Sequence, residues 1–279
     1  GSWSNIPDYD AWYQDRKPWI IGEFVWTGFD YLGENYPYNS MWPSRSSYFG
    51  IVDLAGLPKD RFYFYRSRWN TDDKTLHVLP HWTWHGMEGK TIPVMCYTSF
   101  PEAELFVNGK SMGRVKKDPT KLFGANRIKW MNVKYEPGEL KVVAYDATGN
   151  RAAEKVVRTA GKPAKLELTP DRKVIKADGD DISFVTVRML DADGNECPDA
   201  DNELQFSVKG AKYQAACNGD ASSLEPFEEP QMRLFHGEMV VLVRSTPKAG
   251  NAVLTVTCKD APNITAQTVI RVEKPAKQR

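Results

Sequence analysis

The sequence predicts a mainly β chain in which one strand–loop–helix unit leads into two β-sandwiches. Three observations carry that expectation. From about residue 70 onward, short apolar stretches recur between turns rich in Gly, Asn and Pro, with little helical periodicity between them. Of 33 Phe, Trp and Tyr residues, 19 fall within residues 1–69, and beyond Gly161 only Phe184, Phe206, Tyr213, Phe227 and Phe235 remain. Such a skew indicates units that pack differently, or one unit that binds something flat. Finally, the chain opens with an apolar run, a long loop and a helical stretch, which together form a single βα unit.

The elements follow in order. A short helix is expected around Asp8–Arg16, before the stiff Lys17-Pro18-Trp19. Ile20–Phe29 is near-continuously apolar and is bounded by Gly28 and Gly33, the pattern of a strand buried on both faces of a parallel sheet. An aromatic loop runs from Asp30 to Tyr48, and Pro58 stands at a suitable first helical position for a helix over Lys59–Trp69.

In the second unit, residues 70–161, strands are expected at Leu76–Leu79, Ile92–Tyr97, Ala103–Val107 and Leu140–Tyr145. Asn108-Gly109, between Phe106-Val107 and Met112, marks a hairpin. Lys162-Pro163 reads as a linker to a third unit, residues 162–274. There Val185/Val187/Met189, Leu204/Phe206/Val208, Met239/Val241/Val243 and Leu254/Val256/Cys258 alternate with polar residues, and Asp191–Asn195 forms a turn. Strands at this spacing suggest two immunoglobulin-like sandwiches, followed by a charged tail over 275–279.

Composition excludes several function classes. Lys+Arg 37 against Asp+Glu 36 gives a net charge of +1, so there is no electrostatic footprint for nucleic acid or an anionic membrane. No apolar run reaches membrane-spanning length, and the Gly1-Ser2-Trp3 start has no signal-peptide pattern. Cys96, Cys197, Cys217 and Cys258 are scattered, form no CxxC pair and leave the redox compartment open.

Gly22–Glu34, with Ser47–Asp60, resembles the end of the catalytic barrel of family 2 glycoside hydrolases, and most closely the β-galactosidases of gut Bacteroidetes. Val78–Trp82, Glu104–Lys110 and Arg158–Gly161 are similar to the domain that follows that barrel, and Cys217–Asp220 with Glu225-Pro226-Phe227 to the terminal sandwich. The resemblance covers nearly the whole chain. It implies that residues 1–69 are strand eight and helix eight of a (β/α)8 barrel, a partial barrel end consisting of its last βα unit. Trp26 would then lie at the catalytic end of the strand, as part of the apolar wall that receives the sugar. It also implies a cis peptide between Trp26 and Thr27.

The same resemblance implies a parent enzyme that hydrolyses terminal β-galactosides with retention and needs no organic cofactor, although some relatives bind cations near the site. Its partners are β-galactoside glycans, and a periplasmic or secreted location fits glycan foraging. Retention requires two carboxylates about 5–5.5 Å apart. The family carries both as glutamates near the ends of strands four and seven, which would lie upstream of Gly1. The chain is therefore expected to be an inactive C-terminal fragment with no catalytic residue of its own.

Residue by residue, the local alternatives are plain. Glu23, Asp30 and Glu34 read first as buried or barrel-supporting carboxylates, and Asp53 as a turn residue. His77, His81 and His85 recur every four residues, but Pro80 and the neighbouring tryptophans favour surface and packing roles over a metal site. Trp82 and Trp84 are core residues or a sugar platform; a platform would favour a carbohydrate-binding or adhesion module. Lys110–Lys117 reads as a solvated loop, and Asn263-Ile264-Thr265 is a glycosylation sequon that means nothing in a bacterial source. A β-glucuronidase or β-mannosidase parent remains an alternative within the family. Because one βα unit cannot bury its own apolar faces, residues 19–69 are expected to pack on the adjacent sandwich or on a second copy in a homo-oligomer.

Overall fold

Alternation of inward apolar and outward polar residues decides most of the architecture, which is mainly β. The structure, a computed structural model, describes residues 5–36 and 38–274; Gly1-Ser2-Trp3 and the charged tail 275–279 lie outside them. Among the described residues there are two helices and sixteen strands. The chain divides into two units, one comprising the residues up to Gly28 with Pro58–Thr159, the other Phe29–Leu57 with the residues from Ala160. The leading segment is thus shared between them.

In the first unit, α1 spans Pro7–Gln14 and α2 Asp60–Trp69. Strands β1 (Leu76–Leu79), β2 (Val94–Thr98) and β5 (Arg127–Trp130) form one antiparallel sheet. Strands β3 (Glu102–Val107), β4 (Lys110–Lys116), β6 (Glu139–Tyr145) and β7 (Arg151–Arg158) form another, in the order β4-β3-β6-β7. The β3–β4 hairpin turns on Asn108 and Gly109 at φ 48° and 80°, the left-handed pair that a two-residue turn needs. One core joins the inward residues of both sheets, among them Val94, Cys96, Leu105, Ile128, Leu140 and Val142 around the fully buried Trp82 and Tyr135.

Helix α2 lies on β1 and β2. Its buried Phe64 meets Tyr97 edge-on at 5.7 Å, and burial pushes the Tyr65 hydroxyl up to about 12. Helix α1 is tied to β5 by the fully buried Asp8, which accepts from Arg127 Nε at 2.9 Å and pairs with the same guanidinium through its second oxygen.

In the second unit, β8 (Lys165–Pro170), β10 (Ile182–Leu190), β14 (Glu238–Arg244) and β12 (Lys212–Cys217) form a sheet in the order β12-β14-β10-β8. The remaining strands are β9 (Val174–Lys176), β11 (Glu203–Lys209), β13 (Gln231–Arg233), β15 (Gly250–Cys258) and β16 (Thr265–Glu273), in the order β13-β11-β15-β16-β9. Val185, Val187 and Met189 of β10 face Leu204, Leu254 and Val256 of the other sheet in one core. At the exit of β10, Asp191 accepts from Asp193 N and Asn195 N through Oδ1, and from Gly161 N through Oδ2.

Two expectations are corrected. Among the described residues Ile20–Phe29 forms no strand: Ile21 and Phe24 are fully exposed, and the segment's sole ladder contact there is the bridge of Phe29 to Val52. A buried parallel strand needs neighbours on both sides, and among the described residues none flank it. Within residues 19–69, α2 packs on β1 and β2, whereas Trp19 and Trp26 are both more than two-thirds exposed. Lys110–Lys116 is strand β4 rather than a loop, because the hairpin turn carries the chain straight back along β3.

Candidate functional site

Trp26 stands in the irregular stretch between Pro18 and Gly28 and is 72% exposed. The Trp26–Thr27 peptide is cis. The exposed indole offers a flat apolar face, a shape that suits the C–H face of a sugar. Glu23 is exposed in the same stretch.

The acidic residues of the following loop serve the backbone. Asp30 is buried and accepts from Gly50 N at 2.8 Å. Gly50 is required there because a Cβ would lie 2.3 Å from Asp30 N. This clasp closes the loop alongside the Phe29–Val52 and Leu32–Ser46 bridges. Glu34 accepts from Tyr36 N at 3.0 Å, and Asp53 Oδ1 accepts from Ala55 N and Leu57 N at 2.9 and 2.8 Å. Each carboxylate therefore has a turn or loop to hold: Asp53 is the expected turn residue and Asp30 is buried as expected, whereas Glu34 is half-buried in a local turn.

The loop is also joined to the loop that follows β12. Arg45 N donates to Ala221 O at 3.2 Å, and its guanidinium sits over the Phe227 ring at 5.6 Å. A Cβ on Gly219 would fall 2.1 Å from Asp53 Oδ2, so this approach also demands glycine. Sequence reasoning marked both loops as motifs and missed their contact, since about 170 residues separate them and no local pattern records such a pairing.

The other candidates have settled places. Trp82 is fully buried, donates from Nε1 to Glu136 O at 3.0 Å and meets Tyr135 edge-on at 5.1 Å. Trp84 is half-buried, donates to His81 O at 2.8 Å and stacks on His81 at 4.4 Å. His77 bonds Asp60 Oδ1 at 2.7 Å and stacks on Tyr63 at 3.7 Å. Those two histidines therefore pack on aromatic neighbours, His77 against α2 and His81 against Trp84. Among the described residues no group of three or more His, Cys, Asp or Glu is placed to hold a metal ion, and no helix is long and apolar enough to cross a membrane. All four cysteines are free thiols, and burial pushes Cys96 and Cys217 up to about 12, far from a thiolate at neutral pH.

With this geometry in place, comparison with known proteins defines the class. Glycoside hydrolase family 2 C-terminal domain 5 matches residues 166–267, and a domain of unknown function, DUF4982, matches residues 89–153. The chain belongs to the C-terminal region of the family 2 glycoside hydrolases. It is similar to the beta-galactosidase BoGH2A of Bacteroides ovatus, with 47% identity over 257 residues, covering 91% of this chain and 29% of that protein. A beta-glucuronidase of Formosa agariphila is 30% identical over 165 residues, 58% of this chain and 16% of that one. The crystal structure of a beta-glycosidase from Bacteroides vulgatus superposes with a TM-score of 0.82 at 36% identity, covering 91% of this chain and 31% of that one. The chain thus spans about a third or less of each of these relatives.

Proposed function

We propose that the chain is the C-terminal portion of a retaining β-galactosidase. In this reading residues 1–69 are the last βα unit of its (β/α)8 barrel, and residues 70–161 and 162–274 are two immunoglobulin-like sandwiches. The observation that carries it is the 47% identity to a beta-galactosidase along 91% of the chain. Trp26 forms part of the sugar-binding wall, its indole stacking on the C–H face of the galactoside, where apolar area is buried without a charge. The exposed run from Trp19 to Trp26 is then an interface, covered by the rest of the barrel or by a second copy.

The chain alone does not turn over substrate. Retention needs a nucleophile and an acid/base about 5–5.5 Å apart, whereas Asp30, Glu34 and Asp53 are committed to backbone donors. Its role is to complete the barrel wall and to hold the loop 29–57 against the terminal sheets. A second reading, a β-glucuronidase parent, is favoured by the beta-glucuronidase relative. The buried Trp82 speaks against an adhesion module built on a tryptophan platform.

The test is hydrolysis of nitrophenyl β-galactoside, β-glucuronide and β-mannoside by the purified chain at high concentration, and by a longer protein that contains it. No turnover by the chain is expected, with galactoside preferred by the longer protein and its KM raised by Trp26→Ala. Turnover by the chain that vanishes with Glu23→Gln or Asp30→Asn overturns the fragment reading. A glucuronide preference in the longer protein overturns the assigned sugar.

A further inference from the structure

Within the first unit an open pocket of about 510 Å³ lies where the end of α1, the end of α2 and the loop after β4 converge. Its lining includes Asp15, Arg16, Arg68, Lys117 and Asn126. Three cations against one carboxylate leave an excess of two positive charges in a partly enclosed space. The volume is in the range of small-ligand sites and has room for a hexose-sized group.

The cations are held in place. Arg16 lies over the Trp12 ring at 3.8 Å and donates to Trp12 O at 3.3 Å and to Pro119 O. Arg68 meets both oxygens of Asp15, at 2.9 and 3.2 Å, and donates to Asn126 Oδ1. Lys117 donates from Nζ to Thr98 O. Asn126 is only 5% exposed, and its Nδ2 is a buried donor with no hydrogen-bond partner among the described residues. The one carboxylate present is already engaged by Arg68, so the surplus in this pocket consists of donors and positive charge, and what is missing is a negatively charged acceptor.

We infer that this pocket binds a small oxyanion, a sulfate or carboxylate group, held between Arg16, Arg68 and Lys117. A neutral sugar would leave the charge excess uncompensated, and a metal cation would be repelled by it. The occupant is either the free ion or the same group carried on a sugar. The acid–base behaviour of Lys117 gives a second readout. Burial above all brings its ammonium down to about 8, with Arg68 acting in the same direction and the neighbouring Cys96 sulfur in the opposite one. Arg16 and Asp15 complete the charged groups around the pocket. An anion placed there restores the proton, so binding at pH 8 takes up about half a proton per site.

The experiment is isothermal titration calorimetry of the whole chain at pH 8, in two buffers of different ionisation enthalpy. The titrants are sodium sulfate, galactose 6-sulfate, glucuronate and neutral galactose, with chloride fixing the ionic strength. Saturable sulfate binding with proton uptake is expected, at least tenfold weaker in Arg16→Gln and in Lys117→Met, with the uptake lost in Lys117→Met. Arg16 is exposed, so its variant keeps the fold, which circular dichroism checks. Tighter binding of the sulfated or carboxylated sugar assigns a glycan end, and equal binding of inorganic sulfate assigns the free ion. Heats no larger than those of matched chloride, or wild-type affinity in both variants, would overturn the site.

Discussion

Replacing Trp82 by Phe tests whether the tryptophan pair is core or ligand platform. The indole is fully buried, its Nε1 donates to Glu136 O at 3.0 Å, and Tyr135 packs edge-on at 5.1 Å. Losing the hydrogen bond and leaving the carbonyl unpaired costs about 1 kcal/mol. The smaller ring leaves roughly 40 Å³ unfilled, about another 1 kcal/mol at the usual cavity coefficient, and the lost apolar transfer brings the total to about 2–3 kcal/mol. Hydrogen exchange read by mass spectrometry suits a chain of two units, because each unit reports its own opening. Peptides covering β2 and β5 should exchange about 30- to 150-fold faster, while those covering β14 and β15 stay unchanged. Trp84→Phe, at a half-buried site, should cost less than about 1 kcal/mol. If Trp82→Phe leaves exchange within threefold of wild type while abolishing glycan binding, the core assignment is wrong.

Three further outcomes follow from the geometry. Asp8→Ala strands the Arg127 guanidinium beside a fully buried position and should destabilise the first unit by about 3–5 kcal/mol in urea titration; a loss below about 1 kcal/mol would mean the pair does not anchor α1. Gly219→Ala drives a methyl against Asp53, whose Oδ1 is pinned by Ala55 N and Leu57 N, and should cost about 1–3 kcal/mol; an unchanged melting curve would refute the close approach. Asp191 is buried, which by itself raises its pKa, but hydrogen bonds from Gly161, Asn195 and Asp193 outweigh this and hold it down at about 2. Because the folded value is depressed, its contribution of about 2 kcal/mol is present above about pH 4 and is lost as pH falls toward 2. Asp191→Asn should flatten that limb of the stability–pH curve, and an equally steep limb in the variant would show that other groups cause it.

Much of the fold could be read in the sequence wherever one residue or one face decides the outcome. Asn108-Gly109 fixes its hairpin by backbone chemistry alone, Pro58 announces the helix that begins at Asp60, and Asp191 organises its turn with its own carboxylate. Strands β10, β14 and β15 declare themselves because each buries one face in a shared core. The Ile20–Phe29 run misleads for the opposite reason: composition shows what a segment would bury, whereas a strand exists only where neighbours accept its hydrogen bonds.

The outer strands of the β4-β3-β6-β7 sheet are silent in a different way. In β4 and β7 exposed and half-exposed residues follow one another on both faces, so no period of two emerges and a run such as Lys110–Lys117 looks like a solvated loop. That same polar edge also hid the cationic pocket. The ladder does not stop with β4: Lys117 N donates to Pro101 O at 2.8 Å, one step past the strand, and this turns the lysine side chain inward to Thr98 O. A lysine that composition assigns to solvent is thus carried by edge pairing into the pocket lined by Arg16 and Arg68. The register of the hairpin, set at Asn108-Gly109 and shifted by one residue at the bulge between Leu105 and Phe106, decides that placement.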